Sequence, residues 1–436
     1  MPPPGRATTM FDLPVLDHVV LGYSPIIDRQ RAVVATRLTL FPARPDAAPD
    51  VAALQQALQQ VWPAPEGAGE LQLTLRPLQP KAGGAAAAPA GVTTPVSLNI
   101  AGEALLEAVM HAPPVPHLMI EVPAFMATEP AQAQALQALH AAGAVLLIKG
   151  RPLAPVAPEV LACFSHAVVE ATEERRSAAL PGAGVRQVST VQAGVRTAAD
   201  AEAAFQRGAV AVLGWPFDDP LPAAAARSKV ATDIQVVMEL IQGVDREAPV
   251  SQLEGVLKRD PTLAFRLLRY LNSPAFGLSA EVTSFGHAIM MLGYGRLKRW
   301  LALLLASSSK GANAKPLMFA AVRRGLIMEE LGRSQSDSEL RGEMFICGVF
   351  SLLDKLLQQP FAELLKSVPV PERVRQTLLA DEPAGGPFGP YLELVRAIER
   401  ESLFDIRECT ERLLLSPGEI NRALLAALRQ AQQLDG

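Results

Sequence analysis

The histidines, His18, His111, His117, His140, His166 and His287, are spaced so that no two can share a metal ion from one face of a helix. The cysteines, Cys163, Cys347 and Cys409, stand singly in apolar surroundings. That excludes a CxxC metal site and a disulfide framework, and suits a reducing compartment. The stretch Met344-Phe-Ile-Cys-Gly-Val-Phe-Ser-Leu-Leu-Asp-Lys-Leu-Leu357 has the pattern of a buried helix with one carboxylate, Asp354. A metal-dependent hydrolase needs imidazole and carboxylate ligands in one cluster to hold the cation and acidify its water. Ser351 and Leu352 supply neither. Basic residues gather at Arg296, Lys298 and Arg299, and again at Arg323 and Arg324, a composition that could contact phosphate. With 40 Lys+Arg against 44 Asp+Glu the net charge is -4, so these are read as solvated helix faces and no nucleic-acid partner is expected.

The elements that must position these residues fall into two kinds. From His18 to Phe217 short β-branched runs alternate with helical stretches. Candidate strands are 18–23, 32–41, 71–75, 96–100, 118–122, 144–148, 166–170, 185–191 and 209–214; candidate helices are 50–61, 102–110, 130–142, 153–163 and 198–207. Such alternation implies a parallel sheet with helical crossovers, and the number of units favours a closed barrel. The Ala/Gly tract 81–91 reads as a surface insertion. A Pro/Ala linker at 218–231 ends the pattern, and everything after it is helical: 233–244, 252–259, 261–272, 284–292, 295–308, 316–332, 339–358, 361–367, 371–381, 388–401 and 418–433. Ser251 and Glu254 read as a capping box, and Asp260-Pro261 as a second helix start. The apolar run Leu301–Ala306 falls far short of the ~20 residues that span a bilayer. No membrane insertion is expected, and a cytoplasmic protein is.

The helical half strongly resembles the HDOD family, non-catalytic relatives of the HD phosphohydrolases in bacterial signalling proteins. The resemblance rests on Leu257-Lys-Arg-Asp-Pro-Thr-Leu-Ala-Phe-Arg-Leu-Leu-Arg-Tyr-Leu-Asn-Ser-Pro-Ala-Phe-Gly277, on Val282-Thr-Ser-Phe-Gly-His-Ala-Ile-Met-Met-Leu-Gly293 and on Arg296-Leu-Lys-Arg-Trp300. Where HD hydrolases read Gly-Leu-Leu-His-Asp-Ile-Gly-Lys, this chain reads Gly348-Val-Phe-Ser-Leu-Leu-Asp-Lys355. Ser351 and Leu352 thus stand at the His-Asp positions.

The N-terminal half resembles the EAL domains of bacterial proteins that join a degenerate EAL barrel to an HDOD domain, beginning with Tyr23-Ser-Pro-Ile-Ile-Asp28. EAL barrels hydrolyse cyclic di-GMP with carboxylates that hold two metal ions. Arg37 occupies the position of the signature glutamate, Lys149 lies where paired aspartates are expected, and Arg196 replaces a later carboxylate. Asn99 and Glu121 match two metal ligands and are the vestigial metal candidates.

The resemblance implies an α/β plus all-α protein: a degenerate EAL-like TIM barrel at 11–217, a linker at 218–231 and an HDOD domain at 232–436. It implies no enzyme activity, no cofactor and no bound metal, but a signalling protein acting on other proteins in cyclic di-GMP-related regulation. The alternatives are a cyclic di-GMP sensor without hydrolysis and an active phosphodiesterase. Phe350, Ser351, Leu352, Arg296 and Arg299 are the expected interaction residues.

Overall fold

In the computed structural model, residues 13–44, 49–62, 95–115, 118–173, 188–221, 232–257, 285–307, 314–334, 337–367 and 370–435 are described. The expected strand 71–75, the helix start at Asp260-Pro261, helix 261–272 and the motif through Phe276 lie outside them. The chain divides into two compact units. One comprises Met1–Asp219 with Ala397–Ala426, the other Pro220–Arg396 with Ala427–Gly436. The sequence reading assigned 397–426 to the helical domain; the structure groups it with the barrel.

The first unit is a closed eight-stranded barrel in sequential order. Strands β1 (Val19–Asp28), β2 (Val33–Pro42), β3 (Val96–Ile100), β4 (Leu118–Pro123), β5 (Val145–Lys149), β6 (Phe164–Glu170), β7 (Ser189–Ala193) and β8 (Ala211–Leu213) form its wall. From β2 to β8 neighbours pair in parallel. Helices α1 (Val51–Val61), α2 (Glu103–His111), α3 (Ala124–Thr128), α4 (Pro130–Ala141), α5 (Pro158–Leu161) and α6 (Ala198–Gln206) fall between strands.

One expectation needs correction: β1 runs antiparallel to both β2 and β8. The residues between β1 and β2 are too few for a helical crossover, so only a hairpin can join them. Asp28 shapes that turn by accepting the Ala32 amide at 2.8 Å, while Arg31 takes φ 59°. Inside the barrel, alternate strand residues such as Ile26, Met119, Leu147, Val168 and Val191 form one buried cluster, as closure of a barrel this size requires. Outside it, Phe205, Ala201 and Ala204 of α6 pack on Ile27 and Val212.

The unit is completed by the end of one helix, one whole helix and the start of another: α15 (Gly389–Glu399), α16 (Leu403–Leu413) and α17 (Pro417–Asp435). Asn421, wholly buried, fixes this segment to the barrel. Its Nδ2 donates to the Leu16 and Val19 carbonyls at 2.7 Å each, and its Oδ1 accepts the Leu21 amide at 3.1 Å. Helix α16 was not expected. Its signal was present: the Ser402 hydroxyl accepts the Asp405 amide, the S-x-x-D form of an N-cap.

The second unit is helical: α7 (Thr232–Asp245), α8 (Val250–Leu257), α9 (Phe285–Ser307), α10 (Ala314–Leu331), α11 (Ser338–Phe350), α12 (Leu353–Leu357), α13 (Phe361–Ser367) and α14 (Glu372–Leu378), with most of α15. Helix α8 begins at Val250, so Ser251 lies inside it and not at its cap. Gly293, at φ 70°, interrupts α9 between the two helices expected there. Helices α10 and α11 cross at closest approach over Gly325 and Gly348. A Cβ on Gly348 would lie 2.6 Å from the Arg324 carbonyl.

Candidate functional site

The C-terminal ends of the barrel strands carry a buried polar cluster above the apolar interior. Register creates it. Arg37 pairs with Ser97 and Thr39 with Asn99 across β2 and β3, and Asn99 pairs with Glu121 across β3 and β4. Because strand side chains alternate, these residues share the face that Ala35 and Met119 present to the interior.

Arg37 is the hub. Its Nε and Nη2 donate to the two carboxylate oxygens of Glu121 at 2.9 and 2.7 Å, a bidentate fork. Its Nη1 donates to Glu401, from the turn between α15 and α16, at 3.2 Å. Glu401 also accepts the Ser24 hydroxyl at 2.6 Å, and Glu121 accepts that of Ser97 at 2.8 Å. Lys149, at the end of β5, donates to Asn99 Oδ1 at 2.7 Å, and Asn99 Nδ2 donates to Thr39 at 3.0 Å. Arg37 and Glu121 are 6% and 1% exposed, so their charges are held almost without water. Burial works against the Arg37 charge, but Glu121 and Glu401 override it and hold its pKa above the ordinary value. Lys149 lies below the usual lysine range because of burial first and the Arg37 charge second, with Glu121 opposing.

This donor set does not fit a metal pair. Both Glu121 oxygens are taken by the guanidinium, the Asn99 oxygen is taken by an ammonium, and a cation here would face two fixed positive charges. Among the described residues no three His, Cys, Asp or Glu side chains gather as a metal-ligand group.

The structure brings together Arg37, Asn99, Glu121 and Lys149. It leaves Arg196 out: that side chain is exposed and pairs with Asp218 at 2.7 Å. Ser24, Thr39, Ser97 and Glu401 were missed. An arginine inside an apolar strand was the one sequence sign of a buried acidic partner.

In the helical unit the expected interaction surface is corrected. Phe350, Ser351 and Leu352 are 1%, 5% and 5% exposed, so their side chains offer almost no surface to a partner. Arg324 fills the space beside Ser351, its Nη1 donating to Ser351 Oγ at 3.0 Å, and Ser351 Oγ donates to the Gly348 carbonyl at 2.7 Å. The basic clusters disperse likewise. Arg299 pairs with Glu329 at 2.6 Å and lies 4.0 Å over the Phe345 ring, Lys298 pairs with Asp245, and Arg323 and Arg324 are buried. Of the first cluster, Arg296 is the exposed residue. The Cys347 thiol is pushed up to about 12 by burial, which makes it unreactive.

The architecture is thus an eight-stranded barrel with a helical region, and residues 230–366 of that region match the HDOD domain. The chain is 28% identical over 235 residues to the uncharacterized protein YuxH of Bacillus subtilis (strain 168), covering 53% of this chain and 56% of that protein. It is 24% identical over 207 residues to the cyclic di-GMP phosphodiesterase CdgJ of Vibrio cholerae serotype O1, 47% of each chain. The matches span about half the length of these relatives. Among solved structures it is similar to the PaMucR phosphodiesterase in its c-di-GMP complex, at 16% identity and TM-score 0.30, covering 48% of this chain and 93% of that one. It is also similar to the EAL enzyme Bd1971 in its cGMP-bound form, at 11% identity and TM-score 0.29, covering 49% and 67%. No described helix is long and apolar enough to cross a membrane.

Proposed function

We propose that this chain is a non-enzymatic signalling protein in cyclic di-GMP-related regulation, with a degenerate EAL-like barrel, that acts by binding other signalling proteins. One observation carries the reading: the carboxylate that matches a metal ligand of EAL barrels, Glu121, is bound on both oxygens by Arg37. A guanidinium does not leave such a site for a metal ion at neutral pH, because it cannot lose its proton. The likeness to the cyclic di-GMP phosphodiesterase CdgJ supports the link to cyclic di-GMP-related regulation. In the helical unit Ser351 and Leu352 stand at the His-Asp positions of the HD hydrolases, with Arg324 donating to Ser351, which supports the same reading.

The test is incubation of the full chain with cyclic di-GMP and Mg²⁺ or Mn²⁺, separating cyclic from linear dinucleotide. No product above the metal-only background is expected. Metal-dependent turnover that disappears in Glu121→Ala would overturn the proposal. Affinity capture from the native cell, with the full chain as bait, should return a signalling protein.

A further inference from the structure

Glu401 stands at a backbone position that normally goes to glycine. Its amide donates to the Ile398 carbonyl at 3.1 Å and the Ser402 amide donates to Ala397 at 3.2 Å, the double closure that ends a helix with one left-handed residue. Glu401 is that residue, at φ 53°. A charged residue with a Cβ is disfavoured there, and glycine costs least.

The barrel meets it with a glycine of its own. Gly22 sits inside β1, where glycine is a poor strand former. A Cβ on Gly22 would lie 3.0 Å from Glu401 Cα and 3.1 Å from the Ile398 carbonyl. Two local preferences are therefore reversed at one point of contact. What the contact brings is a carboxylate between Ser24 Oγ and Arg37 Nη1.

We infer that the barrel mouth is an anion site, for phosphate or phosphodiester oxyanions, whose present occupant is the chain's own Glu401, so that residues 397–404 act as an autoinhibitory plug. Arg37 and Lys149 lie within electrostatic reach of Glu121, Glu170 and Glu401, so withdrawal of Glu401 removes one of three negative charges around the two cations and frees Arg37 Nη1 and Ser24 Oγ as donors to an entering oxyanion. This goes beyond the proposed function, and hydrolysis by the wild type would refute that function without touching the plug.

The experiment uses the full chain as wild type, Glu401→Gln, Glu401→Gly and Gly22→Ala, with Glu408→Gln as a control on an exposed carboxylate of α16. Hydrogen exchange of amides 397–404 is read alongside calorimetric binding of cyclic di-GMP and of inorganic pyrophosphate. Each of the three plug variants should raise exchange at 397–404 by about tenfold or more, and Glu408→Gln should not. Glu401→Gly is the discriminating variant: a mere helix end would be steadied by glycine, whereas a plug loses its carboxylate and opens. The opened variants should bind cyclic di-GMP, pyrophosphate or both at least about tenfold more tightly than wild type. That gain should vanish in Arg37→Met/Glu401→Gln.

Slower exchange in Glu401→Gly, equal anion affinity in wild type and Glu401→Gln, or a gain that survives loss of Arg37 would each overturn the inference. Gain with cyclic di-GMP alone assigns the site to phosphodiesters; gain with pyrophosphate as well assigns it to phosphate oxyanions generally.

Discussion

Replacing Arg37 by methionine strands Glu121. The carboxylate, with its side chain wholly buried, would keep the Ser97 hydroxyl and lose both guanidinium bonds. Two charges about 4 Å apart attract by about 4 kcal/mol at an effective dielectric near 20, and desolvation costs several kcal/mol per ion. The pair is therefore close to neutral as a pair but costly to break. Arg37→Met should destabilise the barrel unit by about 3–5 kcal/mol. Glu121→Leu should cost less, about 2–3 kcal/mol, because Arg37 retains its ion pair with Glu401 at 3.2 Å. The double variant, with both charges gone, should return to within about 2 kcal/mol of wild type, a coupling above about 3 kcal/mol. Hydrogen exchange of the paired amides in β2 and β3, followed through a urea series, reads this locally and leaves the helical unit out of the measurement. If the single losses simply add in the double variant, Arg37 and Glu121 are not a coupled buried pair, and the argument that the arginine has taken over the metal ligand fails.

Asn421→Ala removes one acceptor and two donor contacts from buried main-chain groups of residues 16–21 and should destabilise the barrel unit by roughly 2–5 kcal/mol, seen as a lower urea midpoint of its exchange-protected amides. Gly348→Ala pushes a methyl into the backbone of Arg324 and should cost the helical unit at least about 2 kcal/mol, measured as a loss of protection in α10 and α11. Asp354 is held above the ordinary aspartate value by burial, with Lys355, Arg324 and Arg396 opposing. A raised acid is a favourable group below its unfolded pKa and loses that advantage as pH climbs through the folded one. Asp354→Asn should thus leave stability unchanged near pH 3 and raise it near neutrality, by an amount that a pH series of melting curves will show growing from about pH 4 upward.

The barrel was legible because β-branched runs at period two, separated by helical stretches, leave few other ways to bury both faces of a sheet. Its antiparallel opening was not read: the alternation was taken to imply a parallel sheet throughout, although no helical stretch lies between the first two runs. The cluster was half legible. Resemblance set Arg37 and Lys149 at carboxylate positions, but their partners depend on register: only the pairing of Arg37 with Ser97 and of Asn99 with Glu121 decides which charges meet. Glu401 was invisible for a different reason. It lies 364 residues from Arg37 along the chain, and the composition of 397–426 is that of any polar helix pair. Its one local irregularity, a glutamate where the helix end calls for glycine, shows only once the helix end is known. The same holds for Gly22, whose place in a strand looks like a weakness until Glu401 is set against it. Residues that break a local preference in pairs, one on each side of a distant contact, carry the information that periodicity cannot, because each exception is explained only by the other.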